Sequence, residues 1–382
     1  GIEAGNLAIN WSGLLAFKRT FTEKMPPKIE SGLDKKGVTT LHGNAKFVAE
    51  NVIEIDGETR LEGKNILIAT GAKPREMSMP GAEYLTESTE FLELEILPKK
   101  IIFVGGGFIS FEFAHIAARA GSDVHIIDRG ERPLKGFEVA HVNKLLKRSA
   151  EARINFIPLT NLVSISPQGD GYSVVLDTDG KQRSHTADLI VHGAGRTPAI
   201  DNLDLDKAGI EFGTHGVAVN DYLQSKSNPA VYAAGDAADT KGLPLTPVAV
   251  FEGKVAASNM IKGNHIKPDY SGVPTVVFTI PELARVGMTE EEAKAAGYKL
   301  RIATNDTSNW YSNLRIGETC AATKVIIDDE TDKILGAHLL GPEYAEIINF
   351  FSLAIRLQLT ASDLKKMVSA YPSVGSDLGS ML

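Results

Sequence analysis

Between Lys100 and Glu138 the chain spaces three glycines, a serine, an acid and several bases in a way that could seat a phosphorylated ligand. Gly105 permits a tight turn, and Gly107 lets the backbone approach a pyrophosphate. The helix start that follows turns unpaired amide N–H groups toward the anion. Ser110 takes the place of the third glycine in the dinucleotide fingerprint, small enough for close helix–strand packing. Farther on, Asp128 could accept both ribose hydroxyls of NAD, whereas Arg129, Arg132 and Lys135 could hold the 2′-phosphate of NADP. The same bases could equally be a solvated loop, so the reading here is NAD(P).

These residues need a strand, a turn, a helix and a second strand to position them. The sequence supplies Lys100 to Val104, the glycines, an apolar-periodic helix from Phe108 to Ala120 stopped at Gly121, and Val124 to Ile127. Two further strand ends carry polar groups. Asn65 to Ala69 reads as a buried strand ending at Thr70-Gly71, and Ala230 to Ala234 closes with Gly235-Asp236 before a helix beginning near Thr246-Pro247. A carboxylate there could bond a polyol or ribose, or serve only as a turn or cap.

Elsewhere, Ile9 to Gly32 reads as an amphipathic helix interrupted near Met25-Pro26-Pro27, followed by a small antiparallel sheet turning at Asp56-Gly57. Gly81 to Pro98 reads as a polar, acidic connector and a domain boundary. A helix from about Glu138 to Ala152 leads to strands punctuated by Gly169-Asp170-Gly171 and Asp179-Gly180, then to the buried strand Asp188 to Val191. From about Lys267 the pattern becomes α+β, with a capping box at Thr289 and Glu292, a hairpin turning at Asp329 to Asp332, and an apolar helix from Tyr344 to Leu359. That helix suits a core, and alternatively a subunit interface.

The 382 residues suffice for two or three domains. A net charge of −8 argues against nucleic acid or anionic membrane as partner, and neither a leader pattern nor an 18-residue apolar run is read. The single cysteine, Cys320, excludes an internal disulfide framework and fits a reducing, cytoplasmic setting. No metal site is assigned.

In order and spacing, IATGAKPR (68–75), VGGGFISFEFA (104–114), GAGRTP (193–198), VYAAGDAAD (231–239), LTPVAVFEG (245–253) and FTIPELARVGMTEEEA (278–293) resemble the flavin-dependent pyridine nucleotide-disulfide oxidoreductases, the family of glutathione reductase, lipoamide dehydrogenase and mercuric reductase. The resemblance implies an α/β fold: two Rossmann-like nucleotide-binding domains, the first incomplete, plus a C-terminal α+β dimerisation domain. Residues 1–85 with 200–265 would bind FAD, 86–199 NAD(P), and 266–382 a second subunit of a homodimer. Ala69, Thr70 and Gly71 would line the FAD cleft. Gly235 and Asp236 would face its ribityl and pyrophosphate portion, and Thr246-Pro247-Val248 would set a helix N-terminus near the ring. Gly105, Gly107, Phe108, Ile109, Glu112, Asp128, Arg129 and Lys135 would serve NAD(P)H, with Phe108 where relatives often have a tyrosine over the flavin; Gly195 and Arg196 complete the set.

Three features depart from the family pattern. The opening FAD glycine motif and the redox cysteine pair are not in this sequence, so its N-terminus is read as removed or unobserved. Cys320 is expected to be a packed, neutral thiol rather than a substitute. Where disulfide reductases usually carry His-Pro-Thr, this chain has Tyr371-Pro372-Ser373; a tyrosine is a poor base at neutral pH but can donate a hydrogen bond to substrate. The implied activity is transfer of electrons from NAD(P)H through FAD to a disulfide or other small-molecule acceptor. The alternatives are a flavin transhydrogenase or NAD(P)H oxidase without a redox disulfide, and a flavin-less NAD(P)-binding module.

Overall fold

A computed structural model describes Gly5 and residues 7–382; residues 1–4 and Asn6, at the start of the segment read as having no leader, lie outside the described residues. The chain divides into two compact units. One comprises the stretch up to Leu15 with Met77–Ala194 and Ser271–Leu382, and the other Ala16–Glu76 with Gly195–Tyr270.

The first unit holds a four-stranded parallel sheet in the order Leu189–His192, Lys100–Val104, Asp123–Ile127, Ile154–Ile157. Near-continuous Ile, Val and Phe in these strands reflect burial on both faces, the normal state of a parallel sheet. Helix Phe108–Arg119 returns the chain between the two central strands, and helix Val139–Glu151 leads to the last. The same unit contains a three-stranded antiparallel sheet (Thr160–Gln168, Gly171–Thr178, Lys181–Ala187) and a five-stranded antiparallel sheet, Thr275–Val277, Glu282–Gly287, Ile334–Gly341, Ala322–Asp328, Leu300–Asp306 in spatial order. Helix Tyr344–Arg356 buries Tyr344, Ile347, Ile348, Phe351 and Ala354 against the five-stranded sheet, so one face of it is core. Phe350, Leu353 and Leu357 stay exposed on the other.

The second unit is built from smaller pieces. Strands Ala45–Ala49, Val52–Ile55 and Thr59–Glu62 form an antiparallel meander, and Ile66–Ile68 pairs in parallel with Val231–Ala233, Ile68 opposite Ala233. Ala72–Pro74 pairs antiparallel with Arg196–Pro198. Helix Thr246–Lys262 begins with a proline in its first turn, where the missing N–H costs nothing.

Two sequence readings change in detail. The prolines after Met25 begin the helix Met25–Asp34 rather than merely breaking a longer one, because the N–H groups that proline lacks would have no intrahelical partner in a first turn. The acidic stretch from Gly81 is more than a connector. Glu90 folds back to accept the Glu87 N–H at 2.7 Å, and the short helix Ser88–Phe91 delivers a wholly buried Phe91 that stacks on Phe113 with centroids 4.7 Å apart. Its acids cap the helix while Phe91 packs the core.

Buried His115 is held neutral. Its Nδ1 accepts the Ile280 N–H at 3.1 Å, its Nε2 meets Ser149 Oγ at 3.0 Å, and burial followed by the charges of Arg119 and Arg148 holds it down at about 3. Burial likewise holds His141 down at about 4. Both sit below the unfolded value of about 6.5, so below that pH the unfolded chain takes up protons that the folded chain refuses. The stabilisation is complete above about pH 6.5 and is lost as pH falls toward the folded values. Urea unfolding is therefore expected to show a lower midpoint at pH 5 than at pH 7.5, corresponding to a loss of unfolding free energy on the order of a few kcal/mol. An equal or higher midpoint at pH 5 would refute this.

Candidate functional site

In the first unit the glycine turn sits at the carboxyl end of Lys100–Val104, where open α/β sheets bind their ligands. Gly105 has φ +104°, and a Cβ there would run into the Gly193 carbonyl, so both handedness and space require glycine. A Cβ on Gly107 would meet only the Gly193 oxygen at 3.8 Å; that residue is open on the side from which a ligand would come. Helix Phe108–Arg119 follows, with Phe108 exposed at its first turn and Ile109 half-buried. Glu112, one turn on, accepts the Phe278 N–H at 3.0 Å, and burial raises its pKa.

Asp128 has a role the spacing did not reveal. Its Oδ2 accepts the Gly106 N–H at 2.5 Å and its Oδ1 the Gly130 N–H at 2.6 Å, so each oxygen holds one backbone loop. Arg129 and Lys135 are exposed and Arg132 partly so, and no ion pair of theirs is found among the described residues. Ser110 is fully buried, packed against Gly193, and its hydroxyl finds no hydrogen-bond partner among the described residues.

In the second unit the expected residues gather at two neighbouring parallel strand ends. Ala69 and Thr70 stand exposed beyond Ile66–Ile68, with Gly71 at φ +70°, while Gly235 (φ +66°) and half-buried Asp236 follow Val231–Ala233. The Ala234 N–H bonds Ile68 O at 3.1 Å and ties the two ends together. Helix Thr246–Lys262 starts against this turn, since a Cβ on Gly235 would come within 2.9 Å of Ala249 Cβ. Thr246 and Pro247 are exposed, and Val248 is buried beneath them. Asp236 has no hydrogen-bond partner among the described residues. Gly195 and Arg196 border the same region: Gly195 O accepts the Arg75 N–H at 3.1 Å, and the Arg196 guanidinium donates to Ala72 O.

Tyr371 lies apart from these groups. It is 78% exposed and stacks on Tyr311 with centroids 6.3 Å apart; among the described residues no contact joins it to the glycine turn of its own unit. Cys320 precedes strand Ala322–Asp328 rather than lying in it, buried, its thiol pushed up to about 12 chiefly by that burial.

These elements match two models end to end: residues 5–253 match the pyridine nucleotide-disulphide oxidoreductase model, and residues 273–381 its dimerisation domain. The chain belongs to the pyridine nucleotide-disulphide oxidoreductase family. Members of this family use FAD and NAD(P)H. The chain is 33% identical over 361 residues to mercuric reductase of Bacillus cereus, covering 94% of this chain but only 56% of that protein's length. It is 31% identical to glutathione reductase of Nostoc sp., covering 100% of this chain and 85% of that one. Among solved structures, the HOCl-induced flavoprotein disulfide reductase RclA from Escherichia coli superposes with a TM-score of 0.88 at 25% identity, over 97% of this chain and 85% of that chain.

The donor sets of this chain fit both family cofactors. An unpartnered carboxylate beside an exposed helix start suits a polyol and its phosphates, and an open glycine before a helix suits a pyrophosphate. Sequence reasoning overlooked Glu252, which binds the Gly235 turn from the helix. The signal was available: Val248, Glu252, Val255, Ala256 and Asn259 form one buried stripe, and an acid in such a stripe needs partners.

The orphaned Ser110 hydroxyl yields a test. Ser110→Ala removes an unsatisfied buried group and should leave stability unchanged or raise it by about 1 kcal/mol in thermal or urea unfolding. A loss above about 2 kcal/mol would show that the hydroxyl is paired.

Proposed function

We propose that the complete protein is a homodimeric FAD enzyme that takes reducing equivalents from NAD(P)H and passes them to a disulfide or another small acceptor. The observation that carries this reading is the pairing, in one unit, of unpartnered Asp236 with the exposed start of helix Thr246–Lys262. When bound, FAD supplies the redox chemistry, accepting two electrons from the nicotinamide and releasing them to the acceptor. Residues 1–85 with 200–265 form the FAD-binding domain, 86–199 the NAD(P)-binding domain and 266–382 the dimerisation domain.

The chain's own residues bind and orient. Asp236 accepts hydroxyl hydrogen bonds from the ribityl chain, Ala69 to Gly71 line the same cleft, and the N–H groups at Thr246-Pro247-Val248 present the helix's partial positive charge. Gly105 and Gly107 let the pyrophosphate of NAD(P)H meet the start of helix Phe108–Arg119, with Phe108, Ile109 and Glu112 along it. With both Asp128 oxygens already holding backbone amides, the ribose end is read by Arg129, Arg132 and Lys135, which favours the 2′-phosphate of NADPH.

Tyr371 donates a hydrogen bond to substrate rather than acting as a base. The exposed side chains Tyr311, Leu314, Ile316, Val368 and Tyr371 support a partner-facing surface on the dimerisation domain. A cytoplasmic setting accords with the chain's one cysteine. That thiol is buried and held neutral, which favours a second reading, a transhydrogenase or NAD(P)H oxidase, over any use of Cys320 as a redox group.

The test is a preparation of the complete protein. It should be yellow, and its kcat/KM should be about tenfold higher or more with NADPH than with NADH, a preference that Arg129→Ala and Lys135→Ala erode. Tyr371→Phe should slow turnover of the acceptor while leaving flavin reduction by NADPH intact. A colourless protein that still binds NADPH would replace the flavoenzyme by a nucleotide-binding module.

A further inference from the structure

Glu252 sits on the second turn of helix Thr246–Lys262 and is 1% exposed. Its Oε2 accepts the Gly235 N–H at 2.7 Å, and its Oε1 accepts Thr240 Oγ1 at 2.8 Å and Tyr270 Oη at 2.6 Å. Thr240 Oγ1 in turn accepts the Gly242 N–H at 3.1 Å. The loop closes tightly over the carboxylate: a Cβ on Gly242 would come within 2.7 Å of Glu252 Oε1 and 2.8 Å of both Tyr270 and Val248. Burial, then the bond to Glu252, raises the Tyr270 phenol well above its ordinary value, so Tyr270 remains a donor. The amide can only donate, and the phenol keeps its proton.

We propose that Glu252 is a positioning residue for the flavin: through the Gly235 N–H it locks the Gly235–Asp236 turn against the helix start, so that Asp236 and the N-terminus of Thr246–Lys262 meet the cofactor together. This rests on the FAD reading above. The argument is one of acceptor count. Three donors converge on two oxygens of a group shut away from water, which suits an ionised carboxylate and nothing else of that size. A carboxamide offers one oxygen: turned toward the Thr240 and Tyr270 hydroxyls it sets its NH2 against the Gly235 N–H, and turned toward Gly235 it forces both hydroxyls to reverse from donor to acceptor, so either way the present network is lost. The turn would then be free to rotate Asp236 away, although Asp236 itself is untouched.

The experiment is titration of the FAD-stripped complete protein with FAD, followed by flavin fluorescence and the visible circular dichroism of the bound ring, alongside melting of the FAD-free form. Glu252→Gln should weaken FAD binding about tenfold or more, equivalent to ~1.4 kcal/mol, and alter the ring's dichroism. Asp236→Asn should weaken it comparably, and Tyr270→Phe by about threefold. An FAD Kd for Glu252→Gln within twofold of wild type, with only the FAD-free melting temperature lowered, would assign Glu252 a structural role and overturn the proposal. If Glu252→Gln does not fold, Tyr270→Phe and Thr240→Val decide it: an unchanged Kd in both overturns the proposal, and a weakened one supports it. A wild type that binds no FAD would remove the flavin reading and this proposal with it. A wild type that binds, with Asp236→Asn impaired and Glu252→Gln unimpaired, removes this proposal alone.

Discussion

A carboxylate accepting the N–H of a glycine turn recurs at the key strand end of each unit, and the geometry of both candidate cradles depends on it. Asp128 holds Gly106 and Gly130 in one, and Glu252 holds Gly235 in the other. Turns that leave parallel strands on glycine gain the freedom to approach a ligand, but they also lose the stiffness that a side chain would give. Charge-assisted bonds to the backbone restore that stiffness without adding atoms on the ligand side. In the first unit the acid comes from the next strand, whereas in the second it comes from the following helix, so the same constraint is met by different elements.

The five-stranded sheet and helix Tyr344–Arg356 solve a separate problem. One helix face completes a core with Ile327, Ile334 and Leu339 of the sheet, while Phe350, Leu353 and Leu357 face outward. A helix apolar on two faces suits a domain that packs internally and also meets another surface. Half-buried Lys324, which reaches Glu138 at 3.0 Å and Glu290 at 2.8 Å, joins this sheet to helix Val139–Glu151 at that helix's beginning. Two acids around one half-buried ammonium favour a single register over those that apolar contact alone would allow.

Much of this architecture was legible because its periodicity is strong. The βαβ run from Lys100, the capping box at Thr289 and the hairpin turning near Asp332 each rest on local chemistry, and each forms as read. Where pattern reading fell short, distant partners decided the outcome. Asp128 offered an acid at the spacing read for ribose, and the Gly106 and Gly130 amides that it also holds leave no trace in that spacing. Phe91 was hidden among acids whose polarity belongs to a helix cap. Glu252 lay within a recognised motif, yet its three donors come from residues 17, 12 and 18 positions away. Tyr371 was located by its motif alone, and its stacking on Tyr311 has no signature in the order of residues.

Cys320 carries a practical consequence. It is the one thiol of this sequence, buried at 4% exposure and held neutral by its surroundings. Maleimides and other thiol reagents act on exposed thiolates, so the folded chain presents them with an almost silent background. A cysteine introduced at any exposed site could then carry a fluorophore or spin label with near-exclusive attachment, allowing distances across this chain to be followed in solution without first removing the native sulfur.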